Sequence, residues 1–204
     1  MFNDNFSYSI NENEFIYFED EFGGIKLPQP NLMGQFQIDN SATAVAAARN
    51  LNLNITDENI KSGITKIKSI ARLQEIKSGK LKNICKDNRL YLDGSHNPLG
   101  AKALNEYLNT LDCKKHLILG MMYNKDHEEY VSHFNDISSI TTIDIPNQPN
   151  AIKGKDLKEK LNKYPNVSYK NSIEEALNSL NPEKGDLIMI TGSLYLAGEL
   201  LNLN

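Results

Sequence analysis

From residue 70 onward the chain alternates short apolar runs with amphipathic stretches, and that alternation constrains its fold most. The runs "RLYLD" (89–93), "HLILG" (116–120), "ITTIDI" (140–145), "VSY" (167–169) and "DLIMIT" (186–191) read as strands. Helices are expected over 99–111, 126–135, 154–163, 172–180 and 194–201. Strands that each lead into a helix pair in parallel, with helices covering both faces of one sheet. The expectation is therefore an α/β fold built on a doubly wound, mostly parallel sheet. Such sheets take ligands at the carboxyl ends of their strands, so the loops of interest are 93–98, 120–126, 145–150 and 191–193.

The front of the chain has a different texture. "EFIYFEDEFGGIKL" (14–27) reads as two strands joined by a Gly-Gly turn. "SATAVAAARNLNL" reads as a small-residue helix capped by Asn40 or Ser41, and "TDENIKSGITKI" as a second helix opening at Thr56 or Asp57. A hairpin and two helices make a poor domain alone. Residues 1–69 are therefore expected to be the tail of a larger domain, and residues 70–204 a second domain.

Composition narrows the function class. With 40% hydrophobic and 24% charged residues the chain has ordinary globular character. No apolar run approaches the roughly 20 residues of a membrane-spanning helix, and the N-terminus lacks the pattern of a signal peptide. Cys85 and Cys113 are isolated thiols in no metal or redox spacing, which fits a reducing cytoplasm. The net charge of −4 hides a basic stretch: from Lys61 to Arg89 nine Lys or Arg face only Glu75 and Asp87. That stretch reads either as a solvated face or as a local field for a polyanion. Without interleaved aromatics it does not read as a nucleic-acid site.

The loops carry the chemistry. In "YLDGSHNPLGA" (91–101), Asp93 ends a strand, Gly94 permits a tight turn and Pro98 suits the first turn of a helix. Ser95, His96 and Asn97 would then sit at the crevice. A carboxylate at a strand end suits ribose hydroxyls, and an imidazole can donate to a developing oxygen or take a proton from an amine. The alternative is that Asp93 and Asn97 only cap the helix while His96 faces water. In "ITGSLYLAGEL" (190–200), Thr191, Gly192 and Ser193 precede a helix, as either an anion site or a plain N-cap. In "GMMYNKDHEEY" (120–130), Lys125 either pairs with a substrate carboxylate or faces solvent. His127 and His133 are six apart, on different faces of a helix, and make no zinc pair. No G-x-S-x-G elbow, G-x-G-x-x-G or G-x-x-x-x-G-K-[ST] loop occurs in the sequence.

Several segments in order resemble one family. "LDGSHNPLGAKAL" is similar to the D-G-A-H-N-P-x-G-A signature of folylpolyglutamate and dihydrofolate synthases, members of the Mur ligase superfamily. "ARLQEI" resembles their R-L-E/Q hinge segment, "ITGSLYLAGEL" their closing T-G-S-L-Y motif, and "LMGQFQIDNSATAVAA" their G-x-H-Q-x-x-N-A segment. Phe36 stands where that family usually shows His, Ile70 where Pro is common, and Ser95 replaces Ala.

The resemblance implies an ATP-dependent amide ligase with a Rossmann-like C-terminal domain. ATP phosphorylates a pterin carboxylate, and the amine of L-glutamate attacks the acyl phosphate. The substrate class would be folate or dihydropteroate. Carried across by motif, Asn40, Arg72 and Asp93 would contact ATP, His96 would sit beside the reacting phosphate, and Lys125 and Ser193 would orient the glutamate. Arg72, Asp93 and His96 are thus expected to gather around a nucleotide at the strand crests. Residues 1–69 would be a C-terminal remnant of the central ATP-binding domain, and 70–204 the glutamate ligase domain. The family's P-loop and its ligands for Mg2+ have no counterpart here. The implied reading is a C-terminal half, inactive alone, whose N-terminal half exists as a separate chain or in a longer frame. A Mur-type cell-wall ligase fragment and a non-catalytic α/β nucleotide-binding module are the competing readings.

Overall fold

The computed structural model describes residues 5–11, 15–51 and 53–204. The chain divides into two compact units, Met1–Ser69 and Ile70–Asn204.

The first unit is a three-stranded antiparallel sheet, β1 (Phe6–Ile10), β2 (Ile16–Asp20) and β3 (Gly23–Leu27), with helices α1 (Gln35–Asn50) and α2 (Asp57–Thr65). Alternation on β2 and β3 sends Ile16, Phe18, Ile25 and Leu27 to one face, where they meet Ile38, Ala42, Val45 and Ala46 of α1 and Ile60 and Ile64 of α2. Small residues on α1 let the helix lie close to the sheet. α2 opens at Thr56, one of the two expected caps: its hydroxyl accepts from Asn59 N while Asn59 Oδ1 accepts from Thr56 N, a closed capping box.

Two expectations are corrected here. The hairpin turn falls at Glu21 and Phe22, not at the two glycines; these open β3, where Gly23 takes φ +97° and Gly24 lies against the Tyr17 ring. α1 begins five residues before Asn40, behind Gly34 at φ 101° with no side-chain cap, so neither Asn40 nor Ser41 is its N-cap. Glu14 and Asn52, at the edges of the expected hairpin and helix, lie outside the described residues.

The second unit holds a six-stranded sheet in the order β4-β5-β9-β6-β7-β8. Its strands are β4 (Gln74–Glu75), β5 (Arg89–Leu92), β6 (Lys115–Leu119), β7 (Ser139–Ile143), β8 (Val167–Lys170) and β9 (Leu187–Thr191). Five are parallel, and β4 is an antiparallel edge pairing Gln74 with Leu92 and Glu75 with Tyr91. The helices are α3 (Lys80–Cys85), α4 (Pro98–Leu108), α5 (His127–Ser132), α6 (Gly154–Lys160), α7 (Ile173–Ser179) and α8 (Leu194–Leu203). α3 packs with α7 and α8, and α5 packs between α4 and α6.

Burial on both faces explains why β6 and β9 read as unbroken apolar runs. Leu90, Leu92, Ile118, Ile188 and Ile190 join Leu81, Cys85, Ile173, Leu177, Leu196 and Leu200 in one cluster under α3, α7 and α8. The residues between them, Tyr91, Leu117, Leu119 and Met189, are equally buried and by alternation face the opposite layer. Each such side chain contributes about 1.5–3 kcal/mol by leaving water. Among the described residues no helix is long and apolar enough to cross a membrane.

Candidate functional site

Three of the expected loops converge at the carboxyl ends of β5, β6 and β9. They enclose a pocket of about 260 Å³ lined by His96, Met122, Asn124, Lys125, Ser193, Leu194 and Tyr195. The strand order explains the convergence: β9, last in sequence, lies between β5 and β6, so the loops after all three are neighbours.

Each side chain is held by local structure. His96 precedes the N-cap of α4: Asn97 Oδ1 accepts from Gly100 N at 2.8 Å, and Pro98 fills the first helical position, which needs no N–H donor. His96 Nδ1 lies 3.0 Å from the Gly94 carbonyl. A carbonyl only accepts, so Nδ1 carries the proton and a neutral ring keeps its Nε2 lone pair free.

Lys125 ends a loop stapled from both sides. Tyr123 N donates to the Asn150 carbonyl at 2.8 Å, Ile152 N to that of Met121 at 3.1 Å, and His127 Nε2 to that of Met122 at 3.0 Å. Asp126 caps α5 by accepting from Glu129 N. The Lys125 ammonium has no partner among the described residues. Ser193 caps α8, its Oγ accepting from Tyr195 N at 3.1 Å. Gly192, at φ +105°, makes that turn possible, because a Cβ there would lie 2.7 Å from the Gly120 carbonyl oxygen. An unpaired ammonium, an imidazole and the N-terminus of a ten-residue helix together favour an anion.

The remaining expected residues lie elsewhere. Asp93 is 2% exposed, and both its oxygens are engaged: Oδ2 accepts from Leu73 N at 2.9 Å and Oδ1 from Ser95 N at 2.8 Å. It clamps the bend at Arg72, where Ala71 and Leu73 hold φ of 56° and 44°. Arg72 itself is exposed and has no partner among the described residues. Neither residue lines this pocket. Asn40, on α1 of the first unit, is exposed and donates to Gln37 Oε1 at 3.2 Å. Ser95 and Asn97 do not face the crevice as expected: Ser95 is turned inward at 5% exposure, and Asn97 is the cap.

Sequence reasoning overlooked the apolar lining, Met122, Leu194 and Tyr195. The signal was available, since all three lie in or next to the chosen loops. It also overlooked Tyr130, a fully buried phenol whose hydroxyl lies 2.8 Å from Thr191 Oγ1 and 2.9 Å from Ser95 Oγ. Burial pushes that phenol's pKa up, against hydrogen bonds from Ser95 and Thr191 that lower it. No grouping of three His, Cys, Asp or Glu side chains able to hold a metal occurs among the described residues.

A doubly wound, mostly parallel sheet with a small pocket at its carboxyl edge defines an α/β domain of the Rossmann-like class. Residues 72–194 match the family described as "Mur ligase, glutamate ligase domain", and the chain belongs to it. It is 30% identical over 195 residues to the folylpolyglutamate synthase of Lacticaseibacillus casei, covering 88% of this chain and 41% of that protein. The structure of "E.coli FolC in complex with ADP, without folate substrate" superposes with a TM-score of 0.80 at 22% identity, over 98% of this chain and 46% of that one. A bifunctional folylpolyglutamate synthase/dihydrofolate synthase "with Mn, AMPPNP and L-Glutamate bound" gives 0.80 at 19%, over 98% and 46%. These structural likenesses establish the shared fold. The chain spans less than half the length of these relatives.

Proposed function

We propose that this chain is the amino-acid-accepting lobe of a cytoplasmic, ATP-dependent ligase that joins L-glutamate to the carboxylate of a folate or dihydropteroate. The observation that carries the reading is the convergence of His96, Lys125 and Ser193 on one small pocket. Membership in the glutamate ligase family, and relatives whose names state that chemistry, support it.

In this reading the Lys125 ammonium pairs with a carboxylate of the glutamate, and the first turn of α8 behind Ser193 receives the other end of the anion. Met122, Leu194 and Tyr195 pack against the methylenes. His96 Nε2 accepts the proton of the glutamate ammonium, leaving a neutral amine as nucleophile. The amine nitrogen bonds to the acyl carbon of the ATP-activated carboxylate, phosphate departs with the acyl–oxygen bond electrons, and the departing phosphate takes the second proton that the nitrogen sheds. Arg72, unpaired and aimed by its clamped bend, meets ATP phosphate or base. Asp93 sets that bend with two of its lone pairs and offers a third to ribose. Asn40, on α1 of the first unit (the remnant of the central domain), is assigned an ATP contact on its motif alone. Mg2+ neutralises phosphate charge in such reactions; its ligands and the phosphate-cradling loop are supplied by polypeptide outside these residues, whether in line or as a separate N-terminal chain.

Calorimetric titration of L-glutamate into the chain tests the reading. One site is expected, weakened about tenfold or more by Lys125→Ala, the order expected for a charge-assisted contact. Absence of binding, or identical binding by Lys125→Ala and His96→Ala, would refute it. ATP binding is expected to be weak and to fall in Arg72→Ala. The chain alone should release no ADP with folate and glutamate.

A further inference from the structure

We infer that Tyr130 is a positioning residue that fixes the three loops of the pocket relative to one another through its hydroxyl. Packing alone asks only for a phenyl ring here: the side chain has 0% exposure and meets Phe134 edge-on, with ring centroids 5.5 Å apart. The hydroxyl is what needs explaining, because a buried phenol costs free energy unless every partner is supplied. Its partners all come from the two other pocket loops.

Tyr130 donates its single proton to the Ser95 carbonyl at 3.2 Å, which leaves its oxygen to accept from the Thr191 hydroxyl at 2.8 Å and the Ser95 hydroxyl at 2.9 Å. The same Ser95 carbonyl accepts from Gly192 N at 3.1 Å. Ser95 immediately precedes His96, and Thr191 and Gly192 immediately precede Ser193. Tyr130 itself sits on α5, the helix that Asp126 caps directly after Lys125. One phenol therefore joins the loops carrying the imidazole, the ammonium and the helix terminus. It touches no ligand: it lies beneath the pocket and acts through the backbone of Ser95 and Gly192. What the pocket binds rests on the amino-acid reading above; the coupling of the loops does not.

The test uses the isotope-labelled chain in four forms: wild type, Tyr130→Phe, Thr191→Val and Tyr91→Phe. Tyr91, on β5, is a second buried tyrosine of the same unit, packed on Tyr107 and not lining the pocket, so it controls for general loosening. In Tyr130→Phe, hydrogen exchange at Gly192 N–H is expected to quicken about tenfold relative to the core amide of Ile118, the scale of one net hydrogen bond. The His96 ring resonances should move, and L-glutamate should bind about tenfold more weakly. Thr191→Val should show the same pattern at smaller amplitude, and it serves in place of Tyr130→Phe should that variant not fold. Tyr91→Phe should leave Gly192 and His96 as in the wild type. Unchanged Gly192 exchange and His96 resonances in Tyr130→Phe, or equal changes in Tyr91→Phe, would overturn the inference. If Gly192 and His96 respond while even the wild type ignores L-glutamate, the positioning role stands and the amino-acid reading falls.

Discussion

Removing the Asp93 carboxylate tests whether this residue is a structural clamp as well as a candidate ligand contact. In Asp93→Ala the N–H groups of Leu73 and Ser95 both lose a charged acceptor inside a buried site. Each such loss costs about 1–3 kcal/mol. Against this, Ala71 and Leu73 hold left-handed backbone at φ 56° and 44°, a conformation costing about 1–2 kcal/mol per residue. Part of that strain relaxes once the clamp is gone. The net expected loss is about 3 kcal/mol, or roughly 10 °C in melting temperature for a domain of this size. Asp93→Asn keeps one acceptor and should fall near half that. Circular dichroism melting of the unliganded chain measures both. A carboxylate that serves only a nucleotide is free to leave an empty protein, so a shift below about 2 °C in Asp93→Ala would refute the clamp. Because the substitution also releases the Arg72 bend, lost ATP affinity in Asp93→Ala would not by itself show a ribose contact; Arg72→Ala is the cleaner probe.

Two further outcomes follow from buried charge. Asp20, with its side chain 2% exposed, pairs through Oδ2 with Arg49 Nε at 3.3 Å, and Arg49 lies 5.9 Å and 6.0 Å from the rings of Phe18 and Phe22. Arg49→Ala should destabilise the first unit by about 3 kcal/mol by stranding the carboxylate, and adding Asp20→Asn should recover much of that in urea unfolding. His127 has its pKa lowered from 6.5, chiefly by burial, with the Met122 carbonyl opposing. The unfolded chain therefore takes up this proton first as pH falls, and the stability held above pH 6.5 is lost on the way down. The urea midpoint should drop on acidification through that range, and His127→Gln should flatten the profile.

The second unit was legible because its signals are local. Five strands read from apolar runs, and α4 from Asn97 and Pro98, survive with edges moved by a residue or a few. β4 was missed because two polar residues, Gln74 and Glu75, become a strand only by pairing with Tyr91 and Leu92. β1 falls before the stretch read as a hairpin and takes its pairing from β2. α1 starts at a glycine with no capping side chain, so no residue announces it. The strand-crest rule picked out the loops of His96, Lys125 and Ser193, which line one pocket in the structure. It gave no access to Tyr130, whose partners stand 35 and 61 residues away, nor to the inward turn of Asp93.

The central place of β9 carries a consequence for how the second unit comes together. Leu187–Thr191 pairs with β5 on one side and β6 on the other, yet a ribosome delivers it after every other strand of the sheet. Until it arrives, the two flanking strands have no native neighbour in common, and the apolar inner faces of the helices on either side stay without their seam. Joining β5 to β6 therefore waits on long-range pairing, the kind that slows folding. Ser193 and the first turn of α8 come with that closing strand, so the pocket at the strand crests is complete only once β9 is in place.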